Sequence, residues 1–123
     1  MKKALIVVSH GSRREASNEE VRQLARQLST HQENSFEDVS AAFLELAEPS
    51  IPDGIMAALE RGAEEVTVLP YFLSAGRHVT QDIPAEVDKA RRQKPDAVIR
   101  IAPYIGRAPE MAEIVLRLAE DHR

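Results

Sequence analysis

The sequence contains no cysteine in its 123 residues. A disulfide framework, a thiolate metal site and a cysteine nucleophile are therefore excluded for this chain. The absence of cysteine suits a reducing compartment, and we expect a cytoplasmic location. Long apolar runs are missing too: the run at residues 4–8 is too short for a signal-peptide core or a membrane span, so we expect no membrane partner.

Basic stripes are also absent. The formal net charge is −4, and no stretch interleaves basic with aromatic residues, which argues against a nucleic-acid partner. A small anionic ligand remains compatible with this charge if its cationic partners are concentrated locally. With 43% hydrophobic and 29% charged residues, the chain has the composition of an ordinary globular protein. Its length predicts a single domain over residues 1–123.

Four short apolar runs alternate with four amphipathic segments. The strands are expected at Leu5–Val8, Val39–Leu46, Val66–Leu69 and Ala97–Ala102. Helices are expected from about Ser17, from Glu48–Ser50 to Gly62, from Thr80 or Ile83 to Arg92, and from Pro109 onward. Ser17 with Glu20 is typical of a capping box at the start of the first helix. The alternation predicts an α/β fold: a four-stranded parallel sheet with helices on both faces, in flavodoxin-like layering.

Ligands of such folds bind beyond the carboxyl ends of the strands. The segments expected there are Ser9–Arg14, Glu45–Glu48, Pro70–His78 and Pro103–Arg107. Among their residues, His10, Glu45 and His78 form a set suited to a divalent transition ion such as Fe, Co, Ni or Zn. Their spacing is not diagnostic, so a metal site, an acid–base site and purely structural histidines all remain open. His31 and His122 are expected to be exposed and without a role.

The segment Leu69–His78 is an unusually apolar loop. Pro70 is expected to end the sheet ladder because it has no N–H to donate. Gly76 is expected to adopt a conformation that other residues resist, which would aim Arg77 and His78 in a particular direction. A loop of this kind either packs on its own domain or lies against a flat apolar ligand.

Arginines are concentrated at the same edge of an acidic chain, at positions 13, 14, 77 and 107. This concentration favours a ligand with carboxylates, although solvation accounts equally well for any single arginine. Gly11-Ser12 could instead hold a phosphate at a helix N-terminus. The chain has no G-x-G-x-x-G, G-x-x-x-x-G-K-[ST] or G-x-S-x-G motif, so a nucleotide site and a serine hydrolase are weak alternatives.

Three stretches resemble a known family: Ile6–Arg13, Ala42–Ile51, and Leu69–Val79 followed by Asp82-Ile83-Pro84. In order and spacing they are similar to the small CbiX/SirB-type sirohydrochlorin chelatases, and the third stretch is the most specific. The resemblance implies a chelatase-like fold. It also implies ATP-independent insertion of Co²⁺ or Fe²⁺, in some relatives Ni²⁺, into sirohydrochlorin, a step of cobalamin or siroheme biosynthesis.

The resemblance also implies roles for individual residues. His10 would be a metal ligand and the proton acceptor, His78 the second metal ligand, and Glu45 a catalytic residue at the substrate. The expected contacts to the macrocycle are Leu73, Ser74, Ala75, Gly76 and Arg77, with Arg13 meeting a peripheral carboxylate. No cofactor is expected beyond the inserted metal.

A single unit would cover a large flat tetrapyrrole poorly, so we expect a homodimer. Two alternatives remain at this stage. One is a non-catalytic metal or tetrapyrrole carrier using the same pocket, and the other is a hydrolase or phosphotransferase using His10 and the loop after it.

Overall fold

The computed structural model describes residues 2–121, which form four strands and four α-helices around one sheet. The elements are β1 (Lys3–Ser9), α1 (Glu15–Thr30), β2 (Asp38–Phe43), α2 (Ile51–Glu60), β3 (Glu65–Pro70), α3 (Ile83–Gln93), β4 (Val98–Ile101) and α4 (Met111–Asp121). A π-type turn, His78–Asp82, precedes α3, and a 3₁₀ turn, Ile105–Arg107, precedes α4. The strands are all parallel and lie in the order β2-β1-β3-β4.

The central strand β1 is buried because it pairs with β2 on one side and with β3 on the other. Its side chains alternate between the two faces of the sheet. Ile6 and Val8 belong to the core beneath α2 and α3, whereas Val7 belongs to the core beneath α1. The α/β fold with a parallel sheet covered on both faces is therefore confirmed.

The helices cover the sheet with the apolar faces expected from their periodicity. α1 buries Val21 and Ala25 on one side of the sheet. On the other side, α2 buries Ile55 and α3 buries Val87 in the larger core. Burial of such side chains away from water is the main favourable contribution to the free energy of folding, about 1.5–3 kcal/mol for each large aliphatic residue.

Three boundaries differ from the sequence-based expectation. α1 begins at Glu15, so Ser17 lies inside the helix and the expected capping box is wrong; the cap residue, Arg14, makes no side-chain cap bond. β2 ends at Phe43 rather than Leu46, because Leu46 has a φ of 65°, which no strand accommodates. β3 ends at Pro70, one residue later than expected, and Pro70 is the last residue of the ladder, opposite Val8.

Pro70 can occupy the last position of the ladder because alternate residues of a strand direct their N–H groups to opposite neighbours. The next residue, Tyr71, donates its N–H to the Val8 carbonyl at 2.7 Å. The donor that Pro70 lacks thus falls on the side away from β1. α2 starts and stops as expected: the Ser50 hydroxyl accepts the Asp53 N–H at 3.2 Å, and Gly62 follows the helix with a φ of 105°.

The last helix, α4, differs from the other three. Its apolar stripe is present but exposed, with Ile114 45%, Val115 56% and Leu118 62% accessible. Within residues 2–121, α4 packs closely against no other helix or strand. In the same part of the chain, no helix combines the length and the apolar character that crossing a membrane requires.

Candidate functional site

The carboxyl ends of β1, β2 and β3 bring three of the candidate side chains together. The His10 and His78 rings meet edge-on, with their centroids 4.7 Å apart and an angle of 61° between the planes. His10 Nε2 lies 2.9 Å from Glu45 Oε2. The three residues come from distant parts of the chain, and the parallel sheet places them at one edge.

Main-chain hydrogen bonds join the segments that carry His10 and Glu45. The Leu44 N–H donates to the Ser9 carbonyl, and the Glu45 N–H donates to the His10 carbonyl, each at 3.0 Å. Gly11 makes this close approach possible: its φ is 95°, and a Cβ there would lie only 1.8 Å from the Glu45 carbonyl oxygen. Any other residue at this position would force the two segments apart.

Asn18 fixes the loop after β1 to helix α1. Its side-chain oxygen accepts the Ser12 N–H at 2.9 Å, and its amide group donates to the Ser12 carbonyl at 2.8 Å. Asn18 is 2% exposed and lies on the stripe that also carries Val21 and Ala25. Sequence reasoning missed this residue, although a polar side chain on an otherwise buried stripe was the available signal.

Glu45 projects from a closed loop, residues 44–49. The loop is closed at its base by a hydrogen bond from the Phe43 N–H to the Pro49 carbonyl at 2.9 Å. From α1, the Arg22 guanidinium donates to the Glu48 carbonyl at 3.1 Å. The loop thus holds Glu45 beside His10, and it leaves Leu46 53% exposed.

The hydrogen-bonding partners define which ring nitrogen of each histidine carries a proton. His10 Nδ1 lies 2.9 Å from the Gly11 carbonyl, and His78 Nδ1 lies 2.8 Å from Asp82 Oδ2. A carbonyl or carboxylate oxygen only accepts, so Nδ1 is the donor in both rings. For His78 this leaves Nε2 with a lone pair for a metal ion. His10 Nε2 instead lies 2.9 Å from Glu45 Oε2, so both of its nitrogens face acceptors, and this is the contact that His10 makes once Nε2 has accepted a proton.

A cavity of about 260 Å³ lies beside His78 and is lined by Leu44, Glu45, His78, Asp82, Ala85 and Glu86. Its wall is rich in carboxylates. In the part of the chain that the structure describes, no group of three or more His, Asp or Glu side chains is arranged to hold a metal ion. The atoms of His10 and Glu45 that could ligate a metal ion, Nε2 and Oε2, contact each other at 2.9 Å. Metal ligation by the set His10, Glu45 and His78 therefore stays a prediction.

The apolar loop after β3 is open to solvent. Residues 73–77 are all exposed, and Leu73 is 77% accessible. The loop rests on the segment after β4, where the Gly106 N–H donates to the Phe72 carbonyl at 3.0 Å. A Cβ at Gly106 would lie 1.9 Å from the Leu73 carbonyl oxygen, so this support depends on glycine, which sequence reasoning did not anticipate.

The expectation about Gly76 is wrong. Gly76 has no positive φ, and nothing lies within 4 Å of a Cβ built there. The direction of His78 is set instead by the π-type turn that begins at that residue. Gly76 therefore faces open space on the exposed side of the loop.

Arg13, Arg77 and Arg107 are exposed and form no ion pair with any residue between 2 and 121. Arg107 also lines a cavity of about 520 Å³ beside Leu69 and Tyr104. These guanidinium groups are available to an anionic ligand. His31 is exposed, as expected, and His122 lies outside the described residues.

The fold and the site together define an α/β protein with two imidazoles and a carboxylate at the carboxyl edge of a parallel sheet. The profile of the CbiX family matches residues 4–122, and the chain belongs to the CbiX family. The fold and the resemblance predicted from the sequence are both confirmed.

Individual relatives agree with this assignment. The sirohydrochlorin cobaltochelatase of Methanocaldococcus jannaschii is 41% identical over 81 residues, covering 66% of this chain and 55% of that protein. The sirohydrochlorin chelatase SirB of Bacillus subtilis subspecies spizizenii, solved in complex with cobalt, superposes with a TM-score of 0.86 at 30% identity, over 99% of this chain and 51% of that one. A CbiX protein of Marinobacter aquaeolei has a TM-score of 0.81 at 31% identity, over 97% of this chain and 95% of that one. The chain spans about half the length of several curated relatives that it matches.

Proposed function

We propose that this protein inserts a divalent metal, Co²⁺, Fe²⁺ or Ni²⁺, into sirohydrochlorin without nucleotide hydrolysis. One observation carries the proposal: His10 and His78 follow neighbouring strands with their rings 4.7 Å apart, His78 Nε2 has no hydrogen-bond partner within residues 2–121, and His10 Nε2 lies 2.9 Å from Glu45 Oε2. The names of the relatives, sirohydrochlorin cobaltochelatases and ferrochelatases, support the same substrate.

The chemistry of insertion explains why these residue types suit the site. The protein must hold a metal ion loosely enough to release it, and imidazoles with a carboxylate, without thiolates, meet this need. It must also take up protons from the pyrrole N–H groups. When His10 accepts one at Nε2, the imidazolium lies 2.9 Å from Glu45 Oε2, which stabilises the new charge.

His10 is therefore the proposed proton acceptor and a metal ligand, Glu45 its catalytic partner, and His78 the second metal ligand. The inserted ion is the second substrate, and the proposal requires no cofactor beyond it. The cytoplasmic location expected from the sequence stays a prediction.

The exposed loop after β3 is the proposed binding surface for the macrocycle. Residues 73–77 and Leu46 are exposed on the loops that carry His78 and Glu45, and Leu46, Leu73 and Ala75 provide apolar surface there. Arg13 and Arg77 have no competing ion pair within the described residues, so they are free to bind peripheral carboxylates of the ring.

A homodimer is the proposed functional form, with a second copy closing the open side of the site. The exposed apolar stripe of α4 supports association, because contiguous exposed apolar surface commonly marks a protein interface. The size of the relatives supports it as well: the B. subtilis SirB chain is about twice as long as the region that this chain matches.

The test replaces each histidine by alanine and measures metal insertion with free metal and sirohydrochlorin. His10→Ala and His78→Ala should each lower the rate at least ~100-fold, the lower range of general acid–base contributions. Both side chains are 40% exposed or more, so the melting temperature should move by only a few degrees.

His31→Ala is the matched control, because His31 is exposed and lies beside Leu5, toward the end of β1 opposite to His10. Co²⁺ affinity should fall in the two site variants and not in this control. If His78→Ala keeps full insertion activity and metal affinity, the two-histidine site is wrong. If the wild-type protein binds metal and tetrapyrrole without accelerating insertion, the protein is a carrier.

A further inference from the structure

The π-type turn His78–Asp82 joins a candidate metal ligand to a carboxylate. The turn is closed by the Ile83 N–H, which donates to the His78 carbonyl five residues earlier. Such wide turns are rare and frequently occur at functional sites. This one places the side chains of its first and last residues on the same side, with His78 Nδ1 2.8 Å from Asp82 Oδ2.

Asp82 has no structural task that would explain the contact. It occupies the cap position of α3, yet its side chain accepts no hydrogen bond from the N–H groups of the helix. It forms no ion pair with Lys or Arg among residues 2–121, and its partner there is His78. Its carboxylate also lines the 260 Å³ cavity next to Glu45 and His78.

The two histidines are supported differently. His10 donates from Nδ1 to the neutral carbonyl of Gly11, whereas His78 donates to an anion. A carboxylate that accepts the Nδ1 proton fixes the tautomer and the ring orientation, and it raises the basicity of Nε2 toward a metal. His78 is thus oriented with Nε2 open for a metal ion, whereas Nε2 of His10 already faces Glu45 Oε2 at 2.9 Å.

We propose that Asp82 is a positioning residue that holds His78 with Nε2 directed to the metal ion. The two histidines thereby take different roles, metal binding by His78 and proton uptake by His10. The proposal rests on the proposed function in one respect, namely that His78 binds the metal. It assigns Asp82 no direct contact with the metal or with the macrocycle. Its effect is transmitted through the imidazole ring.

The first experiment measures Co²⁺ binding to the protein alone, without tetrapyrrole. Asp82→Ala should weaken Co²⁺ binding by about 10- to 100-fold, the usual effect of losing such a supporting carboxylate. Asp82→Asn keeps an acceptor oxygen without the charge, so its affinity should fall between wild type and Asp82→Ala. Glu86→Gln is the matched control: it removes one negative charge from the same cavity wall without touching His78, and Co²⁺ affinity should be unchanged.

The second experiment reads the tautomer directly. Long-range ¹H–¹⁵N correlation spectra should show the His78 proton on Nδ1 in wild type and in Glu86→Gln, and a loss of this preference in Asp82→Ala. In the steady state, Asp82→Ala should raise KM for the metal and leave KM for sirohydrochlorin unchanged.

Two results would overturn the proposal. One is an Asp82→Ala protein that melts like wild type and keeps both its Co²⁺ affinity and its His78 tautomer. The other is an equal loss of Co²⁺ affinity in Glu86→Gln, which would make the effect one of cavity charge. If His78→Ala leaves metal affinity intact, the proposed function fails instead, and the tautomer experiment still reports whether Asp82 orients the ring.

Discussion

Replacement of Gly11 by alanine tests the main-chain frame of the site, which is the pair of hydrogen bonds Leu44–Ser9 and Glu45–His10 that brings His10 to Glu45. Alanine at a φ of 95° costs about 1–2 kcal/mol in backbone strain. Its Cβ would also lie 1.8 Å from the Glu45 carbonyl oxygen, so the two segments must separate. Separation breaks the hydrogen bonds Leu44–Ser9 and Glu45–His10, each worth about 1 kcal/mol. The expected loss of unfolding free energy is therefore about 3–4 kcal/mol.

Urea denaturation measures this loss, and Gly76→Ala provides the matched glycine control. Gly76 has an ordinary φ and open space around its Cβ position, so alanine there should change the unfolding free energy by no more than about 1 kcal/mol, in the stabilising direction. Gly11→Ala should also abolish insertion, because the His10–Glu45 contact opens. A Gly11→Ala protein that unfolds within about 1 kcal/mol of wild type would refute this account of the frame.

Two further predictions concern the substrate and the assembly. Arg77→Ala should raise KM for sirohydrochlorin and make binding less sensitive to salt, because an unpaired guanidinium near the site is lost. The control is Arg92→Ala, which removes an exposed arginine in the last turn of α3. An unchanged salt dependence in Arg77→Ala would contradict the proposed binding of a substrate carboxylate by Arg77. In the double variant Ile114→Glu/Leu118→Glu, the mass measured by light scattering should fall from twice the chain mass to the single chain mass. The reason is that charges on the exposed stripe of α4 oppose association. A wild-type protein that is monomeric with and without ligand would exclude the dimer.

The sequence predicts the layers of this fold because its periodicity is strong. Apolar runs such as Leu5–Val8 and apolar helix stripes such as Val21 with Ala25 are buried together in one arrangement, a parallel sheet between helices. Element ends are harder, because they depend on contacts between distant segments. Phe43 is the last residue of the β2 ladder, and its N–H donates to the Pro49 carbonyl of the loop that follows; nothing local in the sequence marks that residue as the end.

The same distinction applies to the site. His10, Glu45 and His78 could be proposed together because the carboxyl ends of parallel strands meet at one edge. The sequence did not assign roles to the residues that support them, since Asn18, Asp82 and Gly106 act through contacts that only the folded chain creates. Gly76 was singled out in error because a glycine before His78 suggests strain that the π-type turn makes unnecessary.

The frame around Gly11 has a consequence for how such a site changes during evolution. The segments of His10 and Glu45 are joined by main-chain hydrogen bonds, and these bonds do not involve the side chains of Ser9 and Leu44. His78 instead depends on an exposed loop and on one turn, and its ring is held by a side-chain contact with Asp82. Under the proposed roles, substitutions around the turn can change metal binding by His78 while the main-chain bonds that hold His10 beside Glu45 are kept, and relatives with different metal preferences should differ first around the turn.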